Sequence, residues 1–531
     1  MKPTLGTFVI ALLAGTYATT VSAQGLGRVH FETSCTPQAQ EKFDRGLAMV
    51  HSFFYPDSVQ AFTEAAAADP QCAIAYWGIA ISHRPNPLIL PLTTAVLKNG
   101  LEAVEKGKTI GAKTDRERDW LAAIELYYRD YDKVDQTTRG LSYEKAMERL
   151  AQKYPDDPEA AAFYALALNE TALPSDKTYA KQLKAGAILE KVAATLPEHP
   201  GALHYLIHTY DYPPLAQRGL DAANKYAGVA PAAQHAQHMP AHTYSMLGLW
   251  PQSVASNTKS RAIAQEQAAR LWPGATHPGE PHHLDFMVYA LLQMGQEGRA
   301  KQLRDDSSVI KKLGFEYLAS YTALAAVPAR FALERQAWKE AAVLEPRGSQ
   351  FPQAEAVTYF ARAIGLARSG DLAAADREVD KLKELRAALE SANQSYWSEQ
   401  VEIQMLATSA WIAHAKGEKE EALKFMRAAA GLEDNSEKHI AMENRLYPMR
   451  ELLGDLLLEQ QQPGPALTEY ETSLESTPNR LRGLYGAAKA ASAASQPEKA
   501  TAYFRKLVEL TKDADADRVE IREAKAYLVQ R

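Results

Sequence analysis

The chain has 531 residues, with 59 Lys and Arg against 65 Asp and Glu, a formal net charge of −6 and 23% charged residues of both signs. No basic stripe runs through it, which excludes nucleic acid as a natural partner. Two cysteines without a CxxC spacing exclude a cysteine-ligated metal site.

The first residues, MKPTLGTFVIALLAGTYATTVSAQ, carry Lys2, an apolar run and Val21-Ser22-Ala23 before Gln24. That order of charge, apolar core and small-x-small residues reads as a secretory signal peptide spanning 1–23. The mature protein is therefore expected to be exported, periplasmic or secreted. No later stretch reaches the ~20 apolar residues of a spanning helix, so no membrane span is expected after cleavage. Export permits a disulfide, and Cys35 and Cys72 are the two residues that could form it. The sequence leaves open whether they do.

Beyond the leader, small and aromatic residues recur with a period of ~34, the signature of tetratricopeptide repeats. Each repeat is two antiparallel helices, A and B, with small residues at positions 8 and 20 where they cross. SVQAFTEAAAADP places Phe62, Ala65 and Pro70 at positions 24, 27 and 32. Further copies place Ala363, Gly370 and Ala375, then Ala410, Gly417, Ala422 and Ala429, at positions 8, 15, 20 and 27 as far as each extends. Gly454, Ala466, Tyr470 and Pro478 mark another copy, and Ala488, Ala500 and Phe504 the last. The pattern predicts an all-α, right-handed superhelical solenoid of stacked helix pairs. Its parts are N-terminal repeats at 24–130, a central histidine-rich set at 131–345 and C-terminal repeats at 346–531. Pro- and Gly-rich breaks at 84–91, 172–176 and 271–281 read as rim loops.

Nine of the fourteen histidines lie between positions 199 and 283. In the repeat register, His204 and His208 take positions 5 and 9 of one A helix. His235, His238 and His242 take positions 2, 5 and 9 of the next, and His282, Asp285 and Tyr289 the same positions of a third. At 100° per residue these positions share one side of a helix, within about 60° of each other. Successive A helices then offer rungs facing the concave groove: His204, His238 and Asp285, then His208, His242 and Tyr289, with His235 and His282 as a partial third. Imidazole is the commonest side-chain ligand for transition metals. The set suits a divalent transition metal such as zinc, copper or iron. Asp285 and Tyr289 are the candidates for a catalytic role beside the six histidine ligands. His204 is followed by Tyr205, so the HxxxH lacks the Glu of a zincin protease. The same residues also fit a hydrogen-bonded polar groove without metal. Weaker groove candidates are His51, Trp77, His439, Glu451, Asp455, Arg480 and Tyr485. His414 reads as a helix-dipole partner.

The segments HPGALHYLIHTYDYP, APAAQHAQHMPAHTYSMLGLW, HHLDFMVYALLQMG, RELLGDLLLEQ and EYETSLESTPNRLRGLYGAAKAA resemble a family of large exported bacterial tetratricopeptide-repeat proteins. The resemblance covers most of the mature chain. It implies the fold and export, and brings no reaction with it. Two functions remain open. One is a metal-binding, metal-dependent protein acting on a small molecule or peptide in the concave groove. The other is a non-catalytic scaffold for a peptide or protein partner.

Overall fold

The computed structural model describes residues 25–84, 86–89 and 91–530, so the leader read at 1–23 lies outside the described residues. The described chain is helical from Pro37–His51 to Val519–Val529. Its one β-type feature is an isolated bridge between Thr276 and Leu313. No helix among the described residues is long and apolar enough to cross a membrane. Cys35 and Cys72 are joined in a disulfide, which ties the segment before the first helix to the turn before Ile74–Ser82.

Local chemistry sets the helix ends. Thr114 and Glu117 form a reciprocal capping box, and the Asp135, Asp157 and Asp371 side chains accept from the first free backbone N–H groups of their helices. The A-to-B turn falls at register position 15. There Gly248, Gly295, Gly370 and Gly417 have φ of 66°, 71°, 91° and 84°, a left-handed conformation that costs Gly least.

The close crossing predicted at position 8 is present. A Cβ at Gly454 would stand 2.8 Å from the Tyr470 ring, so only Gly lets Met449–Glu459 lie so near Pro463–Ser476. Trp77 is a packing residue. It is fully buried, stacks on Phe31 and Phe43, and meets Trp120 edge-on. Burying each such phenylalanine contributes about 1.5–3 kcal/mol. One apolar core runs from Leu26 to Met239 and another from Leu318 to Ala500, with a smaller one around Trp250, Tyr289 and Phe331 between them.

The C-terminal repeats pack back onto the central ones. Leu481 N donates to Gln293 Oε1 at 2.9 Å, and Trp250 Nε1 donates to Asn479 O at 2.8 Å. The non-helical segment between Asp434 and Met449 also returns, and Lys438 Nζ donates to Asp211 Oδ2 at 2.9 Å. The concave side of the central repeats is therefore roofed by the chain itself rather than left as an open groove.

Candidate metal centre

Three short helices carry the histidines. Pro200–Thr209 holds His204 and His208, one turn apart. The next helix is interrupted after His238, giving Gln234–His238 and Pro240–Met246. Pro240 has no N–H to donate back along the helix, yet Met239 keeps a right-handed helical backbone (φ −53°, ψ −37°). His235, His238 and His242 thus stay on one side. Glu280–Gln293 supplies His282, Asp285 and Tyr289.

The six histidines assemble as two triads. His204, His208 and His235 form one, and His238, His242 and His282 the other. In each, one ring nitrogen per residue lies within 4.8 Å of the others. Both triads follow one rule: positions 5 and 9 of one A helix with position 2 of the next. The grouping differs from the straight rungs read off the sequence, because neighbouring helices are staggered by roughly one turn, ~5.4 Å.

Asp285 and Tyr289, at positions 5 and 9 of the third helix, do not join them. Asp285 accepts from Arg330 Nε at 2.7 Å, and the Tyr289 hydroxyl accepts from Arg480 Nη1 at 2.8 Å. Two arginines therefore occupy the third step, and neither Asp285 nor Tyr289 lines the cavity beside the histidines. Arg480 is held in turn by Glu334 and Glu451, and Asp455 pairs with Arg482. Tyr485 donates to Glu523, away from the triads. His439 lies against Tyr396 and Trp397, and His414 reaches Glu459 at 3.0 Å.

Hydrogen bonds fix which nitrogen of three histidines points inward. His204 Nδ1 donates to His51 O at 2.6 Å. His238 Nδ1 donates to Asn257 Oδ1 at 2.7 Å, and the Asn257 amide is oriented by its own Nδ2 donating to Ser253 O at 2.9 Å. His242 Nδ1 donates to Asp211 Oδ2 at 2.9 Å. In each ring Nε2 then carries a lone pair. Locking of one ring N–H by a carbonyl, amide or carboxylate is the usual support of a metal-bound histidine. His238 Nε2 and His242 Nε2 face each other at 3.0 Å. With both Nδ1 atoms protonated, neither Nε2 has a proton to share. Such a separation fits an edge of a coordination shell with bonds of ~2.0–2.1 Å.

Further buried nitrogens have no hydrogen-bond partner within the protein: His204 Nε2, both nitrogens of His208, His235 Nε2 and His282 Nδ1. Each such group costs about 1–3 kcal/mol when left unmatched. Burial lowers the affinity of these rings for protons. It pulls His204 to a pKa of about 3 and His238 to about 4, and holds His208, His235, His242 and His282 well below the ordinary imidazole range. The rings are neutral at physiological pH, the state that donates to a metal.

His208 and His235 of one triad and His238, His242 and His282 of the other line a cavity of about 310 Å³. Phe53, Tyr55, Trp272, Phe315 and Tyr317 supply aromatic walls. Phe53 stacks on His208 and His235 at ring separations of 5.7 and 5.3 Å and meets His204 edge-on at 4.4 Å. Its φ of 51° is the left-handed conformation of the A-to-B turn, since Phe53 stands at register position 15 between Pro37–His51 and Tyr55–Ala68.

In a third cluster, His51, Glu159 and His199, one ligand atom per residue also lies within 4.8 Å of the others. Its hydrogen bonding is complete. His51 bonds Glu159 at 2.7 Å and Tyr205 at 3.0 Å, while His199 bonds Glu159 at 3.1 Å and accepts from Ala202 N at 3.1 Å. It is a structural cluster that also presents His51 O to His204.

Reading the sequence alone missed Asp211, Asn257, Phe53 and Lys438. Asp211 had a signal, since it lies three residues beyond His208 in HPGALHYLIHTYDYP. Asn257 and Lys438 lie 19 and 227 residues from their partners, with no periodicity to point to them.

No protein-family model matches this chain, and no curated protein matches it. Among solved structures, the Naa15/Naa10 complex bound to HypK-THB aligns over 93% of this chain and 91% of its own, at 13% identity and a TM-score of 0.26. The human IFIT1 dimer with m7Gppp-AAAA aligns over 82% of this chain and 90% of its own, at 10% identity and a TM-score of 0.34. Likenesses this distant say nothing about the site; the helix pairing and the repeat register make the chain an all-α tetratricopeptide-type solenoid.

Proposed function

We propose that this is an exported tetratricopeptide-repeat protein whose two central histidine triads bind divalent transition metal, and that the bound metal acts on a small molecule in the adjoining cavity. The observation that carries the reading is the meeting of His238 Nε2 and His242 Nε2 at 3.0 Å, each with its Nδ1–H already donated elsewhere. A cation between them turns a repulsion into two bonds. A purely structural role leaves it unrelieved, along with the unmatched nitrogens of His204, His208, His235 and His282. Three imidazoles with an open face suit a metal that polarises a substrate or activates water.

The alternative, a scaffold for an extended peptide, draws less support. The concave side is roofed by the segment around Lys438, and the remaining space is a cavity suited to a small ligand.

Metal content tests the reading. Inductively coupled plasma mass spectrometry on the purified mature protein should find at least one zinc, copper or iron ion per chain, and a His204→Ala/His238→Ala variant should lose it. A wild type that folds, carries no metal and takes none up on reconstitution would refute metal binding. Sequencing the N-terminus of the exported fraction tests cleavage after Ala23.

A further inference from the structure

We infer that the two triads act together as one two-copper centre that takes up dioxygen between its ions; this rests on the metal-binding reading above. The first observation is spacing. Within the triads, ring centres lie 4.7–6.1 Å apart, as His204–His208 and His208–His235 show. Between them, His208–His242 are 6.1 Å apart and His235–His238 are 5.9 Å apart. The gap between the triads is thus no wider than the triads themselves. Ions held one in each triad would therefore be close neighbours, as the metals of two-ion sites are at ~3.5–4 Å.

The second observation is the donor set. All six donors are neutral imidazoles, and no carboxylate is among them. Di-iron and di-manganese centres of helical proteins are built on glutamates, whose charge offsets that of the ions. Here the carboxylate that meets a triad ring is Asp211, and Lys438 neutralises it at 2.9 Å. With six neutral donors, two divalent ions carry a large charge that only an anion bound between them offsets. A pair of monovalent copper ions halves it. Copper also stands highest among the first-row divalent metals in affinity for such donors and accepts imidazole in both oxidation states.

The third observation is access. Both triads open onto the same cavity, through His208 and His235 on one side and His238, His242 and His282 on the other. A ligand of two atoms entering there reaches both ions. In the step proposed, each monovalent copper gives one electron to dioxygen. The O–O bond falls from double to single, both ions become divalent, no proton moves and no bond in the protein breaks. Releasing dioxygen reverses each change.

The test loads the full mature chain anaerobically with monovalent copper, then admits air. The expected result is two copper ions per chain, a new near-ultraviolet absorption on exposure to air, and no divalent-copper signal in electron paramagnetic resonance, because the two spins couple. A His204→Gln/His208→Gln variant should keep one copper and show the full signal of an isolated divalent ion. Circular dichroism checks its fold; should it not fold, His282→Gln at the cavity edge serves instead and should uncouple the spins. Two coppers with full resonance intensity in the wild type would overturn the pair and leave metal binding standing. One copper per chain, or retention of zinc with copper excluded, would do the same. No metal of any kind would overturn this inference and the function proposed above together.

Discussion

Two groups of buried histidines in this protein have the same residue type and similar burial, but opposite hydrogen bonding. In the His51–Glu159–His199 cluster every ring nitrogen meets a partner. In the two triads, His204, His238 and His242 lock Nδ1 to carbonyl, amide or carboxylate, His238 and His242 turn bare Nε2 atoms on one another, and His204, His208, His235 and His282 keep unmatched nitrogens. Proximity of imidazoles is therefore a poor guide by itself. The unmatched acceptor is the informative feature, since folding gains nothing by burying one.

The contrast is sharpest in stability. Glu159→Ala removes the shared acceptor of the complete cluster and leaves the Nε2 of each of two buried rings unpaired. We expect a loss of about 3–5 kcal/mol in chemical denaturation, with metal content per folded chain unchanged. Loss of metal with no loss of stability would erase the distinction between the two groups. Metal acts on the other group. A metal at 100 to 1,000 times its dissociation constant should stabilise the wild type by about 2.7–4.1 kcal/mol in calorimetry, and chelation should reverse the gain. The His204→Ala/His238→Ala variant should show no such response.

Smaller effects test the supports. Asn257→Ala frees His238 Nδ1 from its lock and should weaken metal binding about 10- to 100-fold, measured by competition with a chromophoric chelator. The smallest effect has an inverted sign. His208 has two buried, unmatched nitrogens, so His208→Leu should stabilise the metal-free protein by about 1–3 kcal/mol while impairing metal uptake. A destabilised metal-free His208→Leu would mean that His208 is a packing residue.

Much of the architecture was legible in the residues. The small residue at position 8, the aromatic at 24 and the glycine at 15 record local needs: a close crossing at Gly454 against Tyr470, and left-handed turns at Gly248, Gly295, Gly370 and Gly417. Because His204 and His208, or His238 and His242, are one turn apart on one helix, sequence phase also put each pair on a common face. The stagger between helices was not legible, and it decides that His235 and His282 complete the triads. Nor was the arrival of Arg330 and Arg480, which engage Asp285 and Tyr289 from helices and turns 45 and 191 residues away.

Periodicity along one helix depends only on 3.6 residues per turn, so the sequence by itself determined the helical class, the repeat register and the pairing of histidines within each helix. Which histidines meet across helices, which ring nitrogens stay bare, and whether the groove is open or roofed depend on interhelical offset and on partners brought in from afar, such as Lys438 against Asp211 and Asn257 against His238. Those are properties of packing between elements. No local pattern encodes them, because each is set by the sum of all the contacts that place one helix against the next.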